Sequence, residues 1–201
     1  MTNNLLDEKY WTTRYLNKST AWDAGEVTLP IKQYLDQLIN KKIKILIPGA
    51  GNGHEVIYAF ENGFKSVHIL DISQTPLKRF EETCLDFPKD QIHHQDFFEH
   101  EGQYDLILEQ TFFCALPPIL RIEYVNKMKE LLKPNGKLVG VLFGIDFEKE
   151  GPPFGGDREE YQKLFSREFE IMKLEPCRNS IPPRIGSELF FMLRKAQYSR
   201  T

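Results

Sequence analysis

Three glycines alternate at Gly49, Gly51 and Gly53, between the apolar run Lys44-Ile45-Leu46-Ile47 and the helix-spaced segment His54–Asn62. A loop of this kind between a strand and a helix turns the unpaired amides of the helix N-terminus toward a ligand, and glycine lets the backbone approach closely. An ordinary glycine-rich turn has the same composition, so the context carries the functional reading. A dinucleotide fingerprint needs a glycine three positions after the second one. That position is His54, which disfavours a nicotinamide or flavin site. Asp71 closes a second apolar run, 18 residues after Gly53. A carboxylate there can accept hydrogen bonds from both hydroxyls of a ribose, or it can cap the next helix. The pair Asp96-Phe97 offers an acid for an exocyclic amine and a ring edge beside a base, or a structural turn.

Other catalytic constellations are missing from the pattern. There is no Ser-His-Asp order and no metal-ligand spacing. His93 and His94 are strand neighbours and point to opposite faces, so they make no metal pair. His54 and His68 read as structural or solvated, and Cys114 as a small packing residue. Cys84, Cys114 and Cys177 are odd in number, far apart and without a CxxC pair. That fits a reducing, cytoplasmic setting without structural zinc.

The elements that must position these residues are set by periodicity. Strands are expected at Lys44–Ile47, Ser66–Leu70, Gln91–His94, Tyr104–Leu108 and Lys137–Phe143. Helices are expected at His54–Asn62, over residues 74–87 with Pro76 in the first turn, and from about Ile119 to Leu132. Lys133-Pro134-Asn135-Gly136 reads as a turn, and 144–158, with its glycines and prolines, as a long loop. A short helix near Glu159–Phe165 and strands at Phe169–Leu174 and Leu189–Leu193 complete the chain. Five alternations of strand and helix predict an α/β fold with a mostly parallel sheet covered on both faces. The 201 residues allow one domain, read as a 1–40 covering segment and a 41–201 core. The net charge of −3 supplies no basic field for nucleic acid, and no apolar stretch is long enough to span a membrane. The start MTNNLLDEKYWTTRY lacks the pattern of a secretory signal.

The glycine loop, the acid after strand two, the Asp-aromatic pair after strand three and seven strands resemble a class I S-adenosylmethionine-dependent methyltransferase. Trp11-x3-Tyr15-x6-Trp22-Asp23-x-Gly25, IPGAGNGHEV, LDIS, FFCALPP, LLKPNGKL and GPPF narrow the resemblance to the thiopurine S-methyltransferase family. Within it they resemble most the plant-type halide/thiol methyltransferase branch. The resemblance implies a Rossmann-like fold with seven strands and an N-terminal helical lid. It places the methyl donor, S-adenosyl-L-methionine, against Trp11, Tyr15 and Trp22, against Gly49 and Gly51, with Asp71 on the ribose, Asp96 and Phe97 at the adenine, and Gln110 after strand four. Tyr15, Ala50 and Gln110 depart from the Trp, Cys and Tyr common at those positions in the branch.

The reaction implied is methyl transfer to a soft nucleophile such as a thiol, bisulfide, thiocyanate or halide, which needs alignment but no general base. Aromatic faces attract a sulfonium cation by about 0.5–2 kcal/mol. The expected acceptor wall is Gln110, Phe112, Phe113, Pro152, Pro153 and Phe154. Arg121 and Arg184 either lend positive potential to an anionic acceptor or serve as ion-pair partners. No metal is implied, and the expected partner of a monomeric chain is a small-molecule acceptor, with neither nucleic acid nor membrane. An O- or N-methyltransferase of another metabolite, or a non-catalytic cofactor-binding module, remains open.

Overall fold

A computed structural model of the chain describes residues 6–195. Residues 1–5 and 196–201, the two ends of the expected single domain, lie outside it. Seven strands form one sheet: β1 (Ile45–Pro48), β2 (Val67–Asp71), β3 (Ile92–His94), β4 (Tyr104–Gln110), β5 (Leu132–Phe143), β6 (Phe169–Pro176) and β7 (Glu188–Lys195). Their order is β3-β2-β1-β4-β5-β7-β6. β1 to β5 run parallel, and β7 lies antiparallel between β5 and β6. Among the described residues six α-helices accompany them: α1 (Glu8–Leu16), α2 (Leu29–Asp36), α3 (His54–Glu61), α4 (Gln74–Thr83), α5 (Arg121–Leu131) and α6 (Arg158–Phe165).

The pleat divides the apolar strand residues between two cores. Ile45, Ile47, Ile69, Leu106 and Leu108 meet Ile31, Leu35, Val56, Ala59, Leu77 and Phe80 from α2, α3 and α4. Leu46, Leu70, Ile107 and Leu138 point the other way, toward Tyr124, Met128, Tyr161 and Phe165 from α5 and α6. Successive side chains alternate across a strand, so a sheet covered on both faces needs apolar residues at consecutive positions, as β1 and β2 have.

Several boundaries differ from those expected. The helix over 74–87 stops at Thr83, because Phe87 leaves the helical path to bury its ring against Phe60 and Phe80, 5.0 and 4.8 Å away, ahead of Pro88. Residues 133–136 do not end an element. Tyr104 pairs with Leu132 and Leu106 with Lys137, so the four residues loop out of a continuous β5 with Asn135 at φ 63°. α2 forms within the stretch read as a covering segment, and its Ile31, Tyr34 and Leu35 pack into the core. Trp22 lies beyond the end of α1, in the non-helical chain that leads to α2.

The strand order reverses between β1 and β4, the switch point at which α/β sheets open a crevice outside their carboxyl ends. β4 and β5 approach closely there. A Cβ added to Gly140 would stand 2.0 Å from the Glu109 carbonyl oxygen. Gly140→Ala should therefore force these strands apart and lower stability by about 1–3 kcal/mol, read as a reduced denaturation midpoint in urea.

Candidate functional site

The crevice holds a cavity of about 450 Å³. Its floor is built at the carboxyl ends of the parallel strands: Gly49 past β1, Asp71 at the end of β2, Asp96 and Phe97 past β3, and Thr111 and Phe112 past β4. Trp11, Tyr15 and Trp22 cover it, with Trp22 edge-on to both partners at 5.5 and 5.8 Å. The far end is apolar, with Phe143, Ile145, Phe147, Pro152 and Pro153 in its wall.

Asp71 is 6% exposed, and both of its oxygens are engaged. Oδ2 accepts from the Gly51 amide at 2.9 Å and Oδ1 from the Ser73 amide at 2.8 Å. Burial pushes its pKa up to about 6, against the pull of those two amides. Each carboxylate oxygen keeps a lone pair for a further donor. The glycine loop beside it is pressed from outside by aromatic rings. A Cβ on Gly49 would stand 2.2 Å from Phe112 Cδ2, and one on Gly51 2.5 Å from the Tyr15 hydroxyl. Both glycines have positive φ, 60° and 54°.

A second buried carboxylate sets the turn after β4. Glu109 is fully buried, and its Oε1 accepts from the amides of Phe112 and Phe113 at 2.8 and 2.9 Å. Its Oε2 accepts from the Tyr124 hydroxyl at 2.6 Å. Burial pushes its pKa up to about 7. The turn carries Thr111 at φ 58°, a β-branched residue in the left-handed region. Such strain persists where surrounding bonds over-determine the backbone, and it clusters at functional sites. Sequence reading missed Glu109. The available signal was a glutamate inside the run DLILEQ, where both faces of the strand are covered.

Of the residues expected at the site, Trp11, Tyr15, Trp22, Gly49, Asp71, Asp96, Phe97, Phe112, Pro152, Pro153 and Arg184 line the main cavity. Gly51 and Gln110 line a small adjoining recess that shares Tyr15, Trp22 and Gly49 with it. Gln110, expected in the acceptor wall, thus lines this recess and not the main cavity. Its Oε1 accepts from the Thr28 hydroxyl at 2.7 Å, which draws the side chain toward the start of α2, while its Nε2 is buried without a partner. Phe113 is corrected too: its ring is buried in the core, 4.9 Å from Tyr124 and 5.6 Å from Tyr161. Phe154 does not line the cavity: its ring packs against Gly151, and its amide donates to the carbonyl of the lining residue Cys114 at 2.7 Å. Arg121 ties Glu160 and the Gly155 carbonyl and is a structural anchor. Arg184 is 7% exposed, lies 3.5 Å from Glu188 and donates to the Trp22 carbonyl. Arg14, which carried no expectation, also reaches the cavity, its guanidinium 5.6 Å from the Trp22 ring. Phe143, Ile145 and Phe147 were missed, although their alternation is the period of an extended segment with one side facing inward.

A seven-stranded sheet of this order, with a glycine loop and an acid at the ends of its first two strands, defines a Rossmann-like class I methyltransferase fold. Solved structures agree on the fold. The 1,6-didemethyltoxoflavin-N1-methyltransferase of Burkholderia thailandensis superposes with a TM-score of 0.77 at 17% identity, covering 94% of this chain and 87% of that one. Magnesium protoporphyrin IX methyltransferase of Synechocystis gives 0.70 at 14% identity, covering 98% of both chains. The thiopurine S-methyltransferase family model matches residues 6–198. A probable thiol methyltransferase 2 of Arabidopsis thaliana is 32% identical across 89% of this chain and 81% of its own. The thiocyanate methyltransferase 1 of the same plant is 31% identical across 91% and 83%. A thiopurine S-methyltransferase of Vibrio parahaemolyticus is 26% identical across 81% and 83%. The chain belongs to the thiopurine S-methyltransferase family and is a methyltransferase.

The buried acids generate two expected outcomes. Tyr124→Phe takes a donor from a sealed carboxylate and should cost about 1–3 kcal/mol of stability, seen in thermal denaturation. Asp71 accepts hydroxyl donors best when ionised, so affinity for an adenosyl ligand should weaken as pH falls through about 6. Asp71→Asn should flatten that acid limb and weaken binding by about 1.5–3 kcal/mol, both measured by calorimetry with S-adenosylhomocysteine.

Proposed function

We propose that the chain moves a methyl group from S-adenosyl-L-methionine to a small soft nucleophile, a thiol in the first instance. The residues present fit the donor. The glycine loop brings bare backbone to the cavity at Gly49, Asp71 can take the ribose, and Asp96 with Phe97 offers an acid and a ring edge to the base. In the adjoining recess the unpartnered Gln110 amide, with Asp23 and Glu55, suits a zwitterionic tail. When bound, S-adenosylmethionine supplies a methyl group on a sulfonium centre.

The observation that carries the choice of acceptor is the chemistry of the far wall. Among the described residues lining the cavity, the carboxylates are Asp71 and Asp96, both at the strand-end floor, and there is no histidine. Phe143, Phe147, Pro152 and Pro153 exclude water and shape the space without accepting a proton. Arg184 holds positive charge nearby, shared with Glu188. A wall of this kind suits a nucleophile that arrives as an anion or ionises in water, and it gives no help to an alcohol. The names of the plant relatives, a thiol and a thiocyanate methyltransferase, support the same class.

The test is a panel of iodide, thiocyanate, bisulfide, aryl thiols, a thiopurine and matched alcohols and phenols. Thiols or soft anions should react at least about 10²-fold faster than any hydroxyl compound, the factor that a missing base removes. Thiol rates should rise with pH as thiolate accumulates. A hydroxyl compound as best acceptor would sink the proposal.

A further inference from the structure

Trp22 sits in the cavity wall without a helix of its own. α1 ends at Leu16 and α2 begins at Leu29. Something other than helical hydrogen bonding must fix its ring, and the neighbouring residue supplies it. The Asp23 carboxylate accepts from His54 Nε2 at 2.8 Å, from Asn52 Nδ2 and from the Gly25 amide at 2.8 Å. Asn52 belongs to the glycine loop and His54 is the first residue of α3. One carboxylate thus bolts the covering segment to the loop that it covers. His54 is also where the sequence departs from the dinucleotide fingerprint, and a glycine there would have no side chain to reach Asp23.

We propose that His54 and Asn52 are positioning residues that act through Asp23 to hold Trp22 over the methyl-donor site. The proposal rests on the reading of that site as the donor site. The charged groups facing His54 from the surrounding elements are Asp23 and Glu26 of the covering segment and Glu55 of α3, all acidic. The hydrogen bond to Asp23, backed by these charges, raises the imidazole's pKa above its ordinary value, so the bolt carries charge while His54 is protonated and loses it as pH rises. Asp23 stays ionised throughout, its carboxyl held down to about 2 chiefly by the hydrogen bond from His54.

The test uses the full chain between pH 7 and 9, above the range where Asp71 titrates. S-Adenosylhomocysteine affinity is measured by calorimetry for the wild type, His54→Ala and His54→Gln. Trp22 emission is recorded without ligand in a Trp11→Phe background, which leaves Trp22 as the sole tryptophan. His54→Ala should alter Trp22 emission in the ligand-free protein and weaken binding roughly tenfold or more, the scale of one charge-assisted hydrogen bond. The wild type should bind several-fold more weakly at pH 9 than at pH 7. His54→Gln keeps a neutral donor and should show rescued emission with affinity independent of pH over that range. A purely packing role for His54 predicts no such difference in pH profile. If His54→Ala does not fold, His54→Gln decides alone. Unchanged Trp22 emission with affinity within twofold in His54→Ala, or a wild-type pH profile in His54→Gln, overturns the proposal. Failure of the wild type to bind S-adenosylhomocysteine at all would instead remove the donor-site reading, while the emission data still report on the bolt.

Discussion

A carboxylate sealed from water has to find donors, and at the end of β4 the donors at hand are the amides of the adjoining turn. Glu109 accepts two of them and the Tyr124 hydroxyl, and no cation is needed. The cost of leaving this group unsatisfied is what holds Thr111 in a backbone conformation that a β-branched residue avoids. With the turn so fixed, Phe112 is pressed against Gly49, where no Cβ has room. Phe112 also stacks edge-on to Phe97 at 5.0 Å, which joins the third and fourth strand ends. Asp71 repeats the device on β2, with the Gly51 and Ser73 amides as its donors. The floor of the cavity is thus set by buried acids held by the amides of the strand-end loops.

The same constraint divides the cavity chemically. Groups that can accept hydrogen bonds are gathered at the strand ends, where buried acids are held by backbone amides. The opposite wall comes from the end of β5 and the chain leading to α6, and it is built from rings and prolines. An acid there depends on a side-chain partner in place of strand-end amides, as Glu188 opposite Phe143 depends on Arg184. The absence of a base among the described lining residues there is therefore what the architecture makes easy, and it suits an acceptor chemistry that needs none.

Much of this was legible in the sequence because it rests on local periodicity. The consecutive apolar positions of β1 and β2 predict a sheet buried on both faces, and Gly49, Asp71 and Asp96-Phe97 stand at strand ends that the pattern locates. What failed depended on side-chain direction. Phe112 and Phe113 are neighbours in the turn that Glu109 holds by both their amides, and their rings part, Phe112 to the cavity and Phe113 to the core beside Tyr124. Gln110 was assigned to the acceptor side by its position after β4, but the Thr28 hydroxyl, 82 residues away in the chain, turns it into the recess. Phe154 sits beside two residues that do line the cavity, yet its ring packs against Gly151 while its amide reaches across the chain to Cys114. Contacts between residues this distant in sequence leave no periodic trace.

The covering segment shows how such long-range ties combine. Between α1 and α2 the chain has few backbone hydrogen bonds of its own, and edge-on aromatic pairs such as Trp11–Trp22 and Tyr15–Trp22 contribute only about 0.5–1.5 kcal/mol each. Polar ties flank Trp22 on either side: Asp23 reaches the glycine loop, and the Trp22 carbonyl takes Arg184 from the long β6–β7 connection. Arg184 is itself held by Glu188 on β7, so the cover is fastened to both halves of the sheet. A segment secured by a few charge-assisted bonds, each contributing about 1.5–3 kcal/mol, can be released without disturbing the core beneath it.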